Sequence, residues 1–167
     1  MAKFSGTSTV SRDLRAQASV LDRLLDDAPG NTRDAVISRA QSLQNFRAAV
    51  RRDLEALLNT RCTVPDMPPD MEEVGNSVYT YGLPDLSSFT AGSAQDRAKL
   101  MQAVRVAIER FEPRLANVEV EAGDETATKL ELRFSISALL LSEPVAEQVV
   151  FDTILESMHG RYQVRSD

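Results

Sequence analysis

The sequence predicts an α+β fold, in which N-terminal helices, one of them long, precede a small antiparallel β-sheet. Three observations lead to this prediction. Apolar residues recur at helical spacing from Thr32 to Leu58. A second helical pattern ends at Pro113, and the apolar period then changes from helical to two. Turn sequences separate the alternating stretches that follow, which is typical of antiparallel strands.

Composition is that of an ordinary soluble domain with a substantial core. The 167 residues are 43% hydrophobic and 26% charged, and the net charge of −6 argues against a nucleic-acid binder. No apolar run approaches the length that spans a bilayer, and residues 1–6 lack the apolar segment of a secretory signal. Cys62 is the single cysteine and cannot form an internal disulfide. We therefore expect a cytoplasmic protein without membrane insertion.

The N-terminal part differs from the rest of the chain. Residues 1–30 begin as a polar stretch without periodicity, and one apolar face of a short helix follows at Val20, Leu21, Leu24 and Leu25. So short a helix needs a surface to lie on, either its own domain or a groove in a partner. We expect residues 1–30 to be an arm with a short amphipathic anchoring segment, and residues 31–167 to be a single α+β domain.

The long helical pattern is expected to begin at the N-cap Asn31 and to end near Asn59. Glu55 follows Arg51 by four residues on its polar side, so the two can form an ion pair. The apolar face is expected to pack on the core, with Phe46 beside it, and comprises Val36, Ala40, Leu43, Val50, Leu54 and Leu57.

Two shorter helical patterns lie in the middle of the chain. Met71, Val74 and Val78 mark one face of a short helix that is expected to stop at Gly82, before a tight turn. Ser93 can cap the next helix. The buried stripe of that helix is expected to be Leu100, Val104, Ala107, Ile108 and Phe111.

Alternation predicts three strands and favours a fourth. Val118 and Val120 mark the first strand, and the longest alternating pattern follows at 130–136. A third strand around 149–154 has two fairly apolar faces, so it is expected to be central or covered. The tail at 160–167 favours a short edge strand.

The sequence offers little for catalysis or for a cofactor. Cys62 and His159 are single residues of their kind, and nothing local activates the thiol. There are too few cysteines and histidines for a zinc site, and no glycine-rich phosphate loop is present. We therefore expect no metal and no cofactor.

Three short sequences resemble a known family and occur in the family's order. They are Arg51-Arg52-Asp53-Leu54-Glu55 with Leu57-Leu58-Asn59-Thr60-Arg61, then Tyr81-Gly82-Leu83-Pro84-Asp85, then Glu112-Pro113-Arg114. Together they resemble TssE, a baseplate subunit of the bacterial type VI secretion system. That family is similar to a baseplate wedge protein of contractile-tailed phages.

The resemblance implies a structural, non-enzymatic wedge component that links the wedge complex to the contractile sheath and templates its first ring. Sheath subunits link by exchanged strands, so a free sheet edge would serve the same purpose. The implied sheath-binding residues, for the subunits TssB and TssC, are Glu112, Pro113 and Arg114. The implied anchors to the wedge subunits TssF, TssG and TssK are Leu21, Leu24 and Leu25.

A small peptidoglycan hydrolase is the alternative, because a related phage protein carries a lysozyme-like label. Such an enzyme needs two carboxyl groups that flank a sugar cleft. Candidates by type are Asp53, Glu55, Asp85 and Glu112, but the chain has no Trp and only three Tyr to stack on a sugar. An adaptor that sequesters a regulator is a third class.

Overall fold

The computed structural model describes residues 38–64, 71–85, 93–123, 131–142, 146–156 and 161–166. Within these ranges the chain has the predicted α+β arrangement of helices followed by a four-stranded antiparallel sheet. The helical elements are α1 (Arg39–Leu58), α2 (Glu72–Gly75), a 3₁₀ turn (Val78–Thr80) and α3 (Ala94–Phe111). The strands are β1 (Leu115–Ala122), β2 (Glu131–Leu140), β3 (Glu147–Glu156) and β4 (Arg161–Ser166). The anchoring segment, Asn31 and His159 lie outside the described residues.

Helix α1 begins later than its apolar pattern predicts. Ser38 has an extended backbone, with φ −64° and ψ 157°, and its hydroxyl accepts a hydrogen bond from the Gln41 N–H. A helix that runs unbroken from Thr32 is therefore wrong, because Ser38 caps α1. Ala40, in the first turn, is exposed, whereas Phe46, predicted to lie beside the apolar face, is buried in the core.

The short helical pattern in the middle of the chain does not bury its apolar face. Met71, Val74 and Val78 are 47%, 39% and 89% exposed. Helix α2 has only four residues, so it forms too few turns to lay a stripe on the core. Thr80 is buried instead, and its hydroxyl donates to the Gly75 carbonyl at 2.5 Å.

Helix α3 follows its predicted pattern closely. The Ser93 hydroxyl accepts from the Asp96 N–H at 3.2 Å, which satisfies one of the free donors at the helix N-terminus. The helix ends at Phe111, just before Pro113. Four of the five predicted stripe residues are buried, and the fifth, Phe111, is half-buried, so α3 packs on the core as expected.

The sheet is a simple meander with the order β1-β2-β3-β4, so β3 is central, as its two apolar faces predict. The tail forms the predicted edge strand, β4. Strand β1 carries a bulge at Asn117, whose φ is +52°, and the register shifts there. Because of this extra residue, Leu115 and Val118 both point into the core.

The outer edge of β4 is bonded by the side chains of Arg51, in α1, and of Asn59, the C-cap residue of that helix. The Asn59 amide pairs with one residue of that strand as a neighbouring strand would: its Nδ2 donates to the Tyr162 carbonyl and its Oδ1 accepts from the Tyr162 N–H, both at 2.9 Å. Arg51 Nη1 donates to the Val164 carbonyl at 3.2 Å. This edge is therefore not open to an added strand.

Replacing Asn59 by Asp is expected to lower the free energy of unfolding by about 2 kcal/mol, measured by urea denaturation. The carboxylate cannot donate to the carbonyls of Tyr162 and Glu55, which now accept from Asn59 Nδ2. Asn45→Asp is the matched control, because Asn45 only accepts a hydrogen bond from Gln41 on the exposed face of α1. Equal losses in the two variants would contradict the strand-like role of Asn59.

A second prediction concerns the Tyr162 hydroxyl, which is buried and has no hydrogen-bond partner among the described residues. Burial raises the pKa of Tyr162 above its ordinary value. The folded protein therefore keeps a proton that the unfolded chain loses above about pH 10. Stability from this group is complete below that pH and falls as pH rises towards the folded-state pKa.

Tyr162→Phe is thus expected to be neutral or up to about 1 kcal/mol stabilising at neutral pH, and to lose less stability in alkali than the parent protein. Urea unfolding at about pH 8 and about pH 11 measures both effects. Tyr79→Phe is the control, because Tyr79 is 60% exposed. A parent-like alkaline loss in Tyr162→Phe would show that other groups cause it.

Candidate functional site

The three short sequences that are far apart in the chain meet beside the C-terminal half of α1. Asp53 from the first, Tyr81 from the second and all of Glu112-Pro113-Arg114 line one pocket of about 350 Å³. Leu57 and Phe111 complete its lining among the described residues. The three short sequences therefore contribute to a single surface pocket.

Arg114 links the residues of this pocket by hydrogen bonds. Its Nε donates to Glu112 Oε1 at 2.6 Å, and its Nη2 donates to Glu112 Oε2 at 2.5 Å and to Asp53 Oδ2 at 2.7 Å. The guanidinium also lies 5.9 Å from the centre of the Phe46 ring. The hydrogen bonds to Glu112 and then to Asp53 raise the pKa of Arg114 above its usual range, although burial opposes them. This bidentate arrangement favours arginine over lysine.

The members of the cluster are unequally buried. The Glu112 side chain is 5% exposed, whereas those of Arg114 and Asp53 are 21% and 34% exposed. Pro113 is exposed. The Glu112 carboxylate therefore lies inside the corner formed by residues 112–114, where it binds Arg114, and its contact with the sheath stays a prediction. Pro113 and the outer edge of Arg114 are the reachable parts of the Glu-Pro-Arg corner.

The Tyr81–Asp85 segment is fastened to the end of α1 by its backbone. The Leu83 N–H donates to the Thr60 carbonyl at 2.9 Å, and the Cys62 N–H donates to the Leu83 carbonyl at 2.7 Å. The Tyr81 ring packs edge-on against Phe111, with ring centres 5.2 Å apart. Burial, and then the charges of Asp53 and Glu112, raise the pKa of Tyr81. The second segment thus closes one side of the pocket.

Each of the four carboxylates considered for a hydrolase contacts an arginine. Glu55 lies 3.8 Å from Arg51, and Asp85 pairs with Arg61. Asp53 and Glu112 share the pocket, but a single guanidinium links them and each accepts hydrogen bonds from it. A glycosidase instead needs a proton donor and a second carboxylate on either side of an open cleft. No observation favours the hydrolase over a binding role.

The described residues provide neither a metal-binding cluster nor a membrane-spanning helix. Among the described ranges, no group of three or more His, Cys, Asp and Glu side chains could hold a metal ion. Cys62 is buried and lines a different groove. Within the same ranges, neither the length nor the apolar character of any helix suffices to cross a membrane.

Sequence reasoning missed two residues of this site. The sequence does not indicate a contact with Arg114 for either Asp53 or Phe46, yet both residues contact it. The available signal was that Asp53 belongs to the first of the three short sequences.

Fold and site together define an α+β domain in which an arginine–carboxylate cluster ties the end of α3 and the start of β1 to α1. The family model described as "Baseplate wedge protein gp25" matches residues 44–145, which is more than half of the chain and includes all three short sequences. The chain therefore belongs to the baseplate wedge protein gp25 family, consistent with its resemblance to TssE. Membership supports a structural role in a phage-tail-like baseplate, in contact with other baseplate components. No curated protein matches the chain.

Proposed function

We propose that this protein is a type VI secretion system wedge subunit of the TssE kind, which makes no covalent bond and joins the wedge complex to the contractile sheath. Sheath subunits of the TssB and TssC kind bind at the outer edge of β1 and at the corner that precedes it. Leu21, Leu24 and Leu25 anchor the subunit to wedge proteins of the TssF, TssG and TssK kind. The protein works in the cytoplasm, where the sheath assembles.

This proposal rests on a difference in backbone hydrogen bonding between the two edges of the sheet. The Gly123 N–H donates to the Arg133 carbonyl at 2.8 Å, and Glu121 lies opposite Ser135. Antiparallel pairing alternates, so the N–H and C=O groups of Val120 and Ala122 point away from β2. No described residue bonds to these groups, whereas on β4 Asn59 bonds to both backbone groups of Tyr162 and Arg51 bonds to the Val164 carbonyl. An added strand therefore has one edge to use, that of β1.

The Glu-Pro-Arg corner, residues 112–114, fixes the direction in which β1 runs. Arg114 immediately precedes β1, and its carbonyl accepts from the Leu141 N–H at 2.8 Å, which starts the pairing with β2. Through Glu112 and Asp53, the same residue is tied to α1. A partner strand that adds to β1 would run past Pro113 and Arg114. The corner thus fixes the register of docking, and its remaining exposed charge adds specificity.

Val120→Pro is expected to abolish sheath assembly while the protein stays folded. Proline removes an N–H that points outward, so the pairing of β1 with β2 is kept and only the added strand loses a donor. Val120→Thr is the matched control, because it retains this N–H and suits a strand. Fluorescent sheath subunits in cells report assembly, and circular dichroism of the purified variants reports folding. Normal sheaths with a folded Val120→Pro protein would exclude the β1 edge as the docking site.

A further inference from the structure

A second concavity, of about 620 Å³, runs along α3. Ala98, Ala103 and Val106 lie on its α3 wall, and Cys62 and Pro84 lie on the facing wall. The α3 residues that line it recur every three or four positions from 95 to 110, so the groove is about 22 Å long. It is therefore long enough to receive a short helical or extended segment.

The groove has an apolar floor and a basic rim. Val106 is 38% exposed although it is a large aliphatic residue. Lys99 and Arg110 also line the groove and are exposed. Neither forms an ion pair with another described residue. The surface thus suits a segment that combines aliphatic side chains with carboxylates.

Such a segment lies in the chain itself, outside the described residues. Residues 19–27 contain apolar side chains at helical spacing, with acidic side chains between and after them. The apolar members are Val20, Leu21, Leu24 and Leu25. The acidic members are Asp22, Asp26 and Asp27. Their charge is opposite to that of the groove rim.

We propose that the α3 groove binds residues 19–27 of the same chain, with the leucines on the apolar floor and the carboxylates towards Lys99 and Arg110. The tether is long enough: residues 28–37 reach about 33–36 Å when extended. Helix α1 is about 30 Å long, and the groove starts at Cys62, just beyond its end.

A consequence for assembly rests on the proposed function. Wedge partners that bind Leu21, Leu24 and Leu25 must displace these residues from the groove. In the free subunit the anchoring segment therefore stays bound to the α3 groove until a wedge protein competes for it. The docking itself does not rest on the wedge role. It can be tested on the purified full-length protein without any baseplate component.

Native Cys62 allows a direct disulfide test. In separate full-length variants, Leu21→Cys and Leu24→Cys place a thiol on the apolar face of the segment, and Arg23→Cys is the control on its polar face. Under mild oxidation, we expect the two leucine variants to form an intramolecular bond to Cys62 at least about tenfold faster than the control. Lys99→Glu should slow the reaction by weakening the docked state. Mass spectrometry of the non-reduced protein identifies the linkage.

A second measurement does not depend on disulfide geometry. Leu24→Asp in the full chain should shift the NMR signals of Val106, Ala98 and Ala103, because the segment leaves the groove. Val10→Asp is the control and should leave these signals unchanged. Disulfide-linked dimers would assign the groove to a second copy and overturn the proposal. Control-like rates together with unchanged groove signals would overturn it as well, and neither result bears on sheath assembly.

Discussion

Arg114→Ala is expected to lower the free energy of unfolding by about 3–5 kcal/mol, because it leaves the buried Glu112 carboxylate without its partner. The Glu112 side chain is 5% exposed and receives two hydrogen bonds from the Arg114 guanidinium. Removal of the guanidinium also takes one of two arginine partners from Asp53 and a cation from the face of Phe46. Urea denaturation followed by circular dichroism measures the change.

Arg52→Ala is the matched control, because Arg52 also bonds to Asp53, at 2.8 Å, but on the exposed side of α1. Its loss is expected to stay below about 1 kcal/mol. Arg114→Lys should fall between the two, since lysine keeps the charge but not the two-pronged contact with Glu112. If Arg114→Ala and Arg52→Ala were equally destabilising, the buried cluster would not have the role assigned to it.

This expectation bears on how the corner is tested in cells. A variant without Glu112 or Arg114 would lose folded protein as well as any contact with a partner, so failed sheath assembly would not separate the two causes. The open edge of β1 gives a cleaner test. The Val120 side chain packs against the core, but its backbone N–H points away from β2, and proline there leaves the Arg114 cluster in place.

The fold follows from local patterns wherever one face of an element is buried. The period-two alternation at Phe134 and Ile136, and at Val149 and Phe151, is the alternation of core and outer faces in β2 and β3. The stripe from Leu100 to Ile108 is the buried face of α3. These periods are set by backbone geometry, so a sequence can show them without any knowledge of partners.

Patterns fail where the outcome depends on distant residues. Val74 and Val78 have helical spacing, yet the segment is too short and lies where no described element covers it. The sequence indicates only that Asn59 ends a helix. In the structure its side chain also forms the hydrogen bonds that a neighbouring strand would form with Tyr162, which is 103 positions away. The importance of the three short sequences could be predicted from a resemblance. Their meeting around Arg114 could not, because Asp53 is 61 positions away from it.

Gly82→Ala is expected to destabilise the protein by about 3 kcal/mol or more, for two independent reasons. Gly82 has φ +108°, a conformation that residues with a Cβ atom adopt only with strain. An added Cβ would also overlap the Thr60 carbonyl oxygen and lie 2.8 Å from its carbonyl carbon. Backbone atoms cannot rotate away, so relief requires the Tyr81–Asp85 segment to move off the end of α1.

Gly75→Ala is the matched control, because an added Cβ there meets no atom within 4 Å and the residue lies in α2. It is expected to be neutral or to stabilise by up to about 1 kcal/mol, since alanine favours helix. Thermal and urea unfolding of both variants give the comparison. Movement at Gly82 would also break the two hydrogen bonds between Leu83 and the end of α1, at Thr60 and Cys62. Because Tyr81 lines the Arg114 pocket and Gly82 lines the α3 groove, a tolerated Gly82→Ala would show that neither concavity depends on this close backbone contact.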